Sequence, residues 1–360
     1  MCYCWVTSDR QAGPSTAEGE TMRRPFVCYT VLGASLASAA VATAQRPPTA
    51  TAAAKPLVIG MVQQVTHPAL DASARGVLDV LKEHGFADGK QIKLDRQNAQ
   101  NDLPTLAAIA KKFKDEKVDY VVAIGTLPLQ NVWAVFKGTP TPVVFTAVAD
   151  PYAAGVAKSA TEKGDNLTGI QASPPIAEAL QLVLDVIPRA QKVGMIWTAT
   201  EKNSELATGR ARAAAKALHV TLEEATISKA DEVLTAAQAL AAKKVEAFFI
   251  STDSTVVSAL ESLVKVANNN KIPLFGNDAA SSQRGAVCAL GLDYYDNGRN
   301  SGVLLVQLLQ GAQAKELPIQ PQQKGQLACN TQAAALQGVT LPEAVRQRVE
   351  ITYDTIAAPK

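Results

Sequence analysis

Six short polar segments stand directly after apolar runs in this chain. They are Gln63-Gln64-Val65-Thr66, Gly125-Thr126-Leu127, Thr146-Ala147-Val148-Ala149-Asp150-Pro151, Thr198 to Ser204, Thr252-Asp253-Ser254-Thr255 and Gly276-Asn277-Asp278. Hydroxyls, amides and carboxylates dominate them, and Lys202 is the one cation they contain. Such a set suits hydrogen bonding to a small polar solute, whereas a phosphate or dicarboxylate site presents Arg or several Lys. Helix N-termini following Thr126 and Asn203 would offer backbone N–H groups and partial positive charge to one carboxylate. Asp253, Asp278 or Asp150 would pair with an ammonium group. Plainer roles stand beside these: Thr126, Ser204 and Thr255 as helix caps worth ~1 kcal/mol each, and Asp150-Pro151 as a turn. A cap can also touch a ligand, so the two roles do not exclude each other.

Covalent and phosphate chemistry lack their motifs here. No Gly-x-Gly-x-x-Gly follows a strand, no Gly-x4-Gly-Lys-Ser/Thr loop occurs, and Gly-x-Ser-x-Gly is missing. His67, His84 and His219 are far apart in sequence and lack the spacing of a metal site. His84 and His219 fall at helix C-termini, where partial positive charge is favourable, and His67 falls in a candidate pocket loop. No nucleophile, base and oxyanion hole assemble, so no catalytic residue, cofactor or metal is expected.

The segments that must position these polar groups alternate regularly. Leu57 to Val62 is a short continuous apolar run, as suits a strand buried on both faces. Thr66 can cap the next helix, with Pro68 in its first turn and Gly85 at its end. The cycle repeats with strands at Ile92 to Asn98, Val118 to Ile124 and Val143 to Phe145, and helices at Leu103 to Lys114 and Leu129 to Lys137. A second series begins near Leu167. Its strands are Lys192 to Trp197, Val220 to Ala225, Ala247 to Ser251 and Pro273 to Phe275; its helices are Ile176 to Val186, Ser204 to Leu218, Ala230 to Ala242 and Thr255 to Asn268. Another strand (Ala286 to Leu290) and helix (Asn297 to Gln310) follow, then a tail. Apolar strands alternating with amphipathic helices imply parallel sheets with right-handed crossovers. The fold class is α/β, in two like-built lobes. In such sheets ligands bind beyond the carboxyl ends of the strands, which is where the polar segments lie.

With 360 residues, 47% of them hydrophobic and 19% charged, the chain has ample core material for two domains. Lys+Arg number 35 against 33 for Asp+Glu, a net charge of +2, which removes the basic excess of a nucleic-acid binder. From Met22 the sequence runs Met22-Arg23-Arg24-Pro25, an apolar stretch Phe26 to Ala42, then Ala42-Thr43-Ala44-Gln45. These are the three parts of a secretory signal cleaved near Ala44; a retained membrane anchor is the alternative. Residues 1–44 are therefore expected to be signal and upstream extension, and 45–56 a flexible leader. Periplasmic residence follows. Removal would leave Cys288 and Cys329, which permits one disulfide in an oxidising compartment, or two separate buried thiols.

Certain runs resemble a known family. Ile59-Gly60 with Gln63, His67-Pro68-Ala69-Leu70-Asp71, Asn98-Ala99-Gln100 and Phe145 to Pro151 are similar to ABC-transporter solute-binding proteins, in the branch with tryptophan/tyrosine-type members. Thr252 to Leu260, and Gly291-Leu292-Asp293-Tyr294-Tyr295 with Gly298 and Gly302, continue the likeness over about Leu57 to Ile351. The resemblance implies a type I periplasmic-binding fold, with Rossmann-like lobes, hinge crossings and a ligand clamped between. Its lobes would be 57–166 plus 286–312 and 167–285 plus 313–354. It brings Thr126, Thr146 and Ala147 to the site from the first lobe, with Gln63 near, and Asn203, Ser204, Asp253, Thr255 and Asp278 from the second. For an amino acid, Asp253 or Asp278 would take the ammonium, and Thr126 with Ser204 and backbone N–H groups the carboxylate. The implied function is capture of an amino-acid-like solute by hinge closure for an inner-membrane ABC permease, by a monomer, without nucleic acid. Thr126-Leu127-Pro128 and Trp197 to Lys202 depart from the family's usual turns at the pocket. A ligand-sensing protein for a membrane receptor, or an exported α/β enzyme, are the rival classes.

Overall fold

The computed structural model describes residues 55–322 and 325–357. The expected signal segment, its cleavage point and the leader up to residue 54 lie outside the described residues. The chain runs β1 (Leu57–Gln63), α1 (Pro68–Glu83), β2 (Ile92–Asn98), α2 (Leu103–Asp115), β3 (Tyr120–Ile124), α3 (Thr126–Phe136), β4 (Val143–Val148) and β5 (Leu167–Ala172). Next come α4 (Ile176–Val186), β6 (Lys192–Thr198), α5 (Lys202–Ala217), β7 (Thr221–Ile227), α6 (Val233–Ala242), β8 (Ala247–Ile250), α7 (Ser254–Ser258) and α8 (Leu260–Asn270). The remainder is β9 (Leu274–Asp278), α9 (Ala280–Gln283), β10 (Cys288–Leu292), α10 (Tyr294–Leu309), β11 (Gln320–Gln322), β12 (Gly325–Asn330), α11 (Thr331–Leu336), α12 (Glu343–Arg346) and β13 (Ile351–Tyr353).

Two sheets result, one ordered β11-β5-β4-β3-β1-β2 and the other β13-β12-β10-β9-β8-β6-β7. Pairing is parallel except between β10 and β12. Helices cover both faces, so the central strands are buried along most of their length; Val143, Val144 and Phe145 of β4 are fully so. This is the two-lobed α/β architecture of type I periplasmic binding proteins.

The sheets exchange strands in a way that differs from the expected order. Strand β5, expected to open the second lobe, pairs with β4 of the first. The fit is steric, because Gly169 has no side chain where the Phe145 ring packs, and a Cβ there would lie 2.5 Å from that ring. Strand β10, expected in the first lobe, lies between β9 and β12 of the second. Passage between lobes therefore falls at three points: Ser173-Pro174-Pro175, Asp293, and between Gln322 and Gly325. Helix α10, which follows the second passage, seats on α1 of the first lobe. A Cβ on Gly298 would stand 2.0 Å from the Ser73 carbonyl oxygen, and one on Gly76 2.3 Å from that of Tyr295. These glycines let the two backbones touch.

Local chemistry adjusts several helix starts. His67 rather than Thr66 caps α1, its Nδ1 accepting from the Ala69 amide at 3.0 Å. Asp293 begins α10 three residues before the expected start, accepting from the Tyr295 and Asp296 amides at 2.9 and 3.1 Å. Helix α3 begins at Thr126, directly after Gly125 at φ 103°, a backbone region that favours glycine. Cys288 and Cys329 face each other across β10 and β12 and are joined by a disulfide. Both strands belong to the second sheet, so the bond staples one lobe and does not bridge the hinge. Among the described residues no helix is long and apolar enough to cross a membrane.

Candidate ligand-binding site

A cleft with about 410 Å³ of atom-free space, part of it continuous with solvent, lies between the carboxyl ends of the two sets of strands. The first lobe lines it with His67 and the start of α1 (Ala69, Leu70), with Gly125 and Thr126, with Ala147 near the end of β4, and with Ala149 just beyond it. The second contributes Asn203, Thr252 and Ser254. Tyr294, beside the second passage, closes the back.

Two atoms on opposite walls have no hydrogen-bond partner among the described residues. Thr126 Oγ1 is buried and unbonded, at a helix start that no side chain caps. The amides of Thr126 and Leu127 have no acceptor within that helix, and Pro128 carries no N–H at all. Across the cleft, Asn203 Oδ1 is likewise buried and unbonded. Its orientation is fixed, because Asn203 Nδ2 donates to Glu201 Oε2 at 3.2 Å and to the Thr252 carbonyl at 3.0 Å. The lining thus offers a hydroxyl and amides from one lobe and a fixed acceptor from the other.

The remaining lining groups are committed in part. Burial lowers the pKa of His67, against the opposing pull of Asp278. The ring is neutral, and since Nδ1 accepts from Ala69 its proton resides on Nε2. The Tyr294 hydroxyl bonds the Thr252 side chain, and burial with the nearby Asp278 charge pushes its pKa up, so it stays a phenol. Ala147 holds a left-handed φ of 57°. Asn297 of α10 maintains it by accepting from the Ala147 amide at 2.8 Å and from the Thr146 hydroxyl at 2.7 Å.

Behind the second-lobe wall lies a buried acidic network. Asp253 accepts from the Thr198 amide (2.6 Å) and hydroxyl (3.0 Å), the Ser204 hydroxyl (2.6 Å) and the Val256 amide (2.8 Å). Glu201 accepts from the amides of Ser254 (3.1 Å) and Thr255 (3.0 Å) and from the Thr255 hydroxyl (2.7 Å). Burial, then the charge of Asp253, push Glu201 up to about 7. Burial raises Asp253 too, against its hydrogen bonds. The wall facing a ligand is therefore backed by a buried pair of acids, one of which, Glu201, titrates near neutrality.

Of the ten ligand residues expected from sequence, Thr126, Ala147 and Asn203 line the cleft. Asp253 and Ser204, expected on the ammonium and carboxylate, bond each other behind it. Thr255 is engaged with Glu201, Asp278 with the amide and hydroxyl of Ser281, and Thr146 with Asn297. Gln63 donates to the Val65 carbonyl and to Asp71, at 2.7 and 2.6 Å. Asp150 pairs with Arg210 of the other lobe at 3.1 Å. His84 and His219 stand at the ends of α1 and α5, as expected. Thr252, Ser254 and Tyr294 join the lining beyond the expected set, the first two from one of its polar segments. Among the described residues no cluster of His, Cys, Asp or Glu could hold a metal ion.

Two lobes meeting over a cleft lined from both define a bilobal solute-binding protein. The model of the family described as "ABC transporter substrate binding protein" matches residues 58–351, and the chain belongs to that family. It is 36% identical to a tyrosine-binding protein of Clostridioides difficile over 261 residues, 72% of this chain and 75% of that one. A conserved domain protein from Vibrio cholerae superposes with a TM-score of 0.80 at 33% identity, covering 83% of this chain and all of the other. An ABC domain from Streptococcus pneumoniae in complex with L-Trp gives 0.78 at 27% identity and the same coverage. A substrate-binding protein with adhesive properties from Clostridium difficile, in its ligand-free open form, gives 0.63 at 29%, again with the same coverage.

Proposed function

We propose that this chain is the extracytoplasmic capture component of an ABC importer, taking an aromatic amino acid into the interlobe cleft by hinge closure and altering nothing covalently. One observation carries the reading: Thr126 Oγ1 and Asn203 Oδ1, both buried and unbonded, line the same cleft from opposite lobes. A zwitterion satisfies both. Its carboxylate accepts from the Thr126 hydroxyl and the first amides of α3, where the helix dipole adds attraction. Its ammonium donates to Asn203 Oδ1, in the field of Glu201, Asp253 and Asp278 behind the wall. The side chain then rests on Ala69, Leu70, Ala149 and the Tyr294 ring. The higher superposition on the L-Trp complex than on the open form, at equal coverage and similar identity, supports a closed arrangement of the lobes.

Neither lobe alone completes the site, so ligand contacts stabilise the closed form over the open one, and a permease would read that difference. Periplasmic residence and a cleaved signal at Ala44 belong to the same proposal. Titration calorimetry with L-tryptophan, L-tyrosine and L-phenylalanine tests it. Saturable binding of at least one, lost when the α-carboxylate is amidated, is expected. Absence of heat with all three overturns the amino-acid assignment.

A further inference from the structure

We propose that the closed form is held by two side-chain clasps, Asn101 on Thr255 and Arg210 on Asp150, which set affinity without setting specificity. The proposal rests on capture by closure. Neither pair lines the cleft, and each joins one lobe to the other.

The first clasp ends a chain of hydrogen bonds. Gln64 Nε2 donates to Asn101 Oδ1 at 2.8 Å, Asn101 Nδ2 to Thr255 Oγ1 at 2.9 Å, and Thr255 Oγ1 to Glu201 Oε1 at 2.7 Å. Every donor points the same way and the last acceptor is a carboxylate, an arrangement in which each bond polarises the next. Asn101 is preset for this. Its backbone stands at φ 61°, where Asn is tolerated, and its amide donates to the Gln64 carbonyl at 2.8 Å. It follows β2, the edge strand farthest from the passages between lobes, so opening separates this pair widely.

The second clasp is ionic and lies toward the hinge. Arg210 of α5 donates from one guanidinium nitrogen to Asp150 Oδ2 at 3.1 Å and from the other to Ser173 Oγ at 2.8 Å. Ser173 is the first residue of a passage between lobes. The other oxygen of Asp150 accepts from the amides of Tyr152 and Ala153 at 3.1 and 2.9 Å, which orients the carboxylate in advance. The pair is partly exposed, with 42% of the Arg210 and 17% of the Asp150 side chain accessible. Its contribution is therefore modest and screened by salt.

The test compares wild type, Arg210→Ala, Asn101→Gly (glycine accepts the same φ) and the double variant. Binding of L-tryptophan and L-tyrosine is titrated from about 20 to about 300 mM salt. Small-angle scattering at the lower salt, without amino acid, reads the radius of gyration. Arg210→Ala is expected to weaken both amino acids by the same factor, about 2- to 5-fold, and to flatten the salt dependence. Asn101→Gly should weaken both about 2- to 10-fold while keeping that dependence. The double variant should scatter as a larger particle than wild type, with far-ultraviolet dichroism unchanged. A changed ratio between the two amino acids, or wild-type scattering and affinity in the double variant, overturns the proposal. If wild type binds neither amino acid, the ligand assignment fails, and the scattering comparison alone decides the clasps.

Discussion

The hydroxyl of Ser204 donates to Asp253 Oδ2 at 2.6 Å and joins the first turn of α5 to the N-terminus of α7. Thr198, at the end of β6, delivers its amide and hydroxyl to the same carboxylate. One buried acid thus fastens a strand and two helix starts. Asp253→Ala leaves these donors without an acceptor, at ~1–3 kcal/mol for each unsatisfied group. The expected result is a fall in the urea midpoint corresponding to roughly 3 kcal/mol or more, with Asp253→Asn, which keeps an acceptor, falling less. An Asp253→Ala protein with the wild-type midpoint would show that the network contributes nothing to the fold.

Glu201 gives the second lobe a pH-dependent stability of definite sign. Its carboxyl titrates at about 7 in the folded protein against 4.5 ordinarily. Between those values the folded chain holds a proton that the unfolded chain has released. The stability due to this group therefore falls as pH rises from about 4.5 and levels off above about 7. His67, with its lowered pKa, contributes the opposite slope, but a variant that keeps His67 cancels it in the comparison. Glu201→Gln is expected to lose about 1–3 kcal/mol less than wild type between pH 5 and pH 8. Urea unfolding at the two pH values measures the difference, and parallel profiles would contradict the buried charge.

The Cys288–Cys329 bond closes a loop of 41 residues within the second sheet. Chain-entropy arithmetic for that length gives about 4 kcal/mol of stabilisation. The double variant Cys288→Ala/Cys329→Ala should unfold at correspondingly lower urea. Because both strands move with one lobe, its dissociation constant for a bound amino acid should stay within about 2-fold of wild type. A large loss of affinity at unchanged stability would place the bond in the closure mechanism instead.

Much of the architecture was legible because strands buried on both faces read as unbroken apolar runs, and polar segments follow their carboxyl ends. Thr126, Ala147 and Asn203, which line the cleft, stand in those segments. Asp253, Ser204 and Thr255 carry the same local signal but turn inward. Whether a residue at a helix start caps its own helix or faces a ligand depends on partners such as Thr198, 55 residues away, which spacing does not reveal. The run forming β5 reads equally well as a strand of either lobe, because an apolar run looks alike in both sheets; the match of Gly169 to Phe145 decides it. Strand β11, Gln320-Pro321-Gln322, has no apolar pattern at all and survives as an edge strand that tolerates proline. Tyr294 escaped because the Asp293 cap extends α10 by a turn into the hinge.

Thr126 offers the sharpest separation of binding from folding. Its Oγ1 is buried without a partner, so the protein alone gains nothing from the hydroxyl and bears its desolvation. Valine has the same shape and lacks that group. Thr126→Val should therefore leave thermal stability without ligand unchanged or slightly raised, while removing one hydrogen bond to a ligand carboxylate. Bonds to charged groups contribute ~1.5–3 kcal/mol, so affinity should fall at least about 10-fold. Thermal shift with and without L-tryptophan measures both quantities on one sample. Should affinity persist while stability drops, the hydroxyl belongs to the fold, and the carboxylate must be held elsewhere in the cleft.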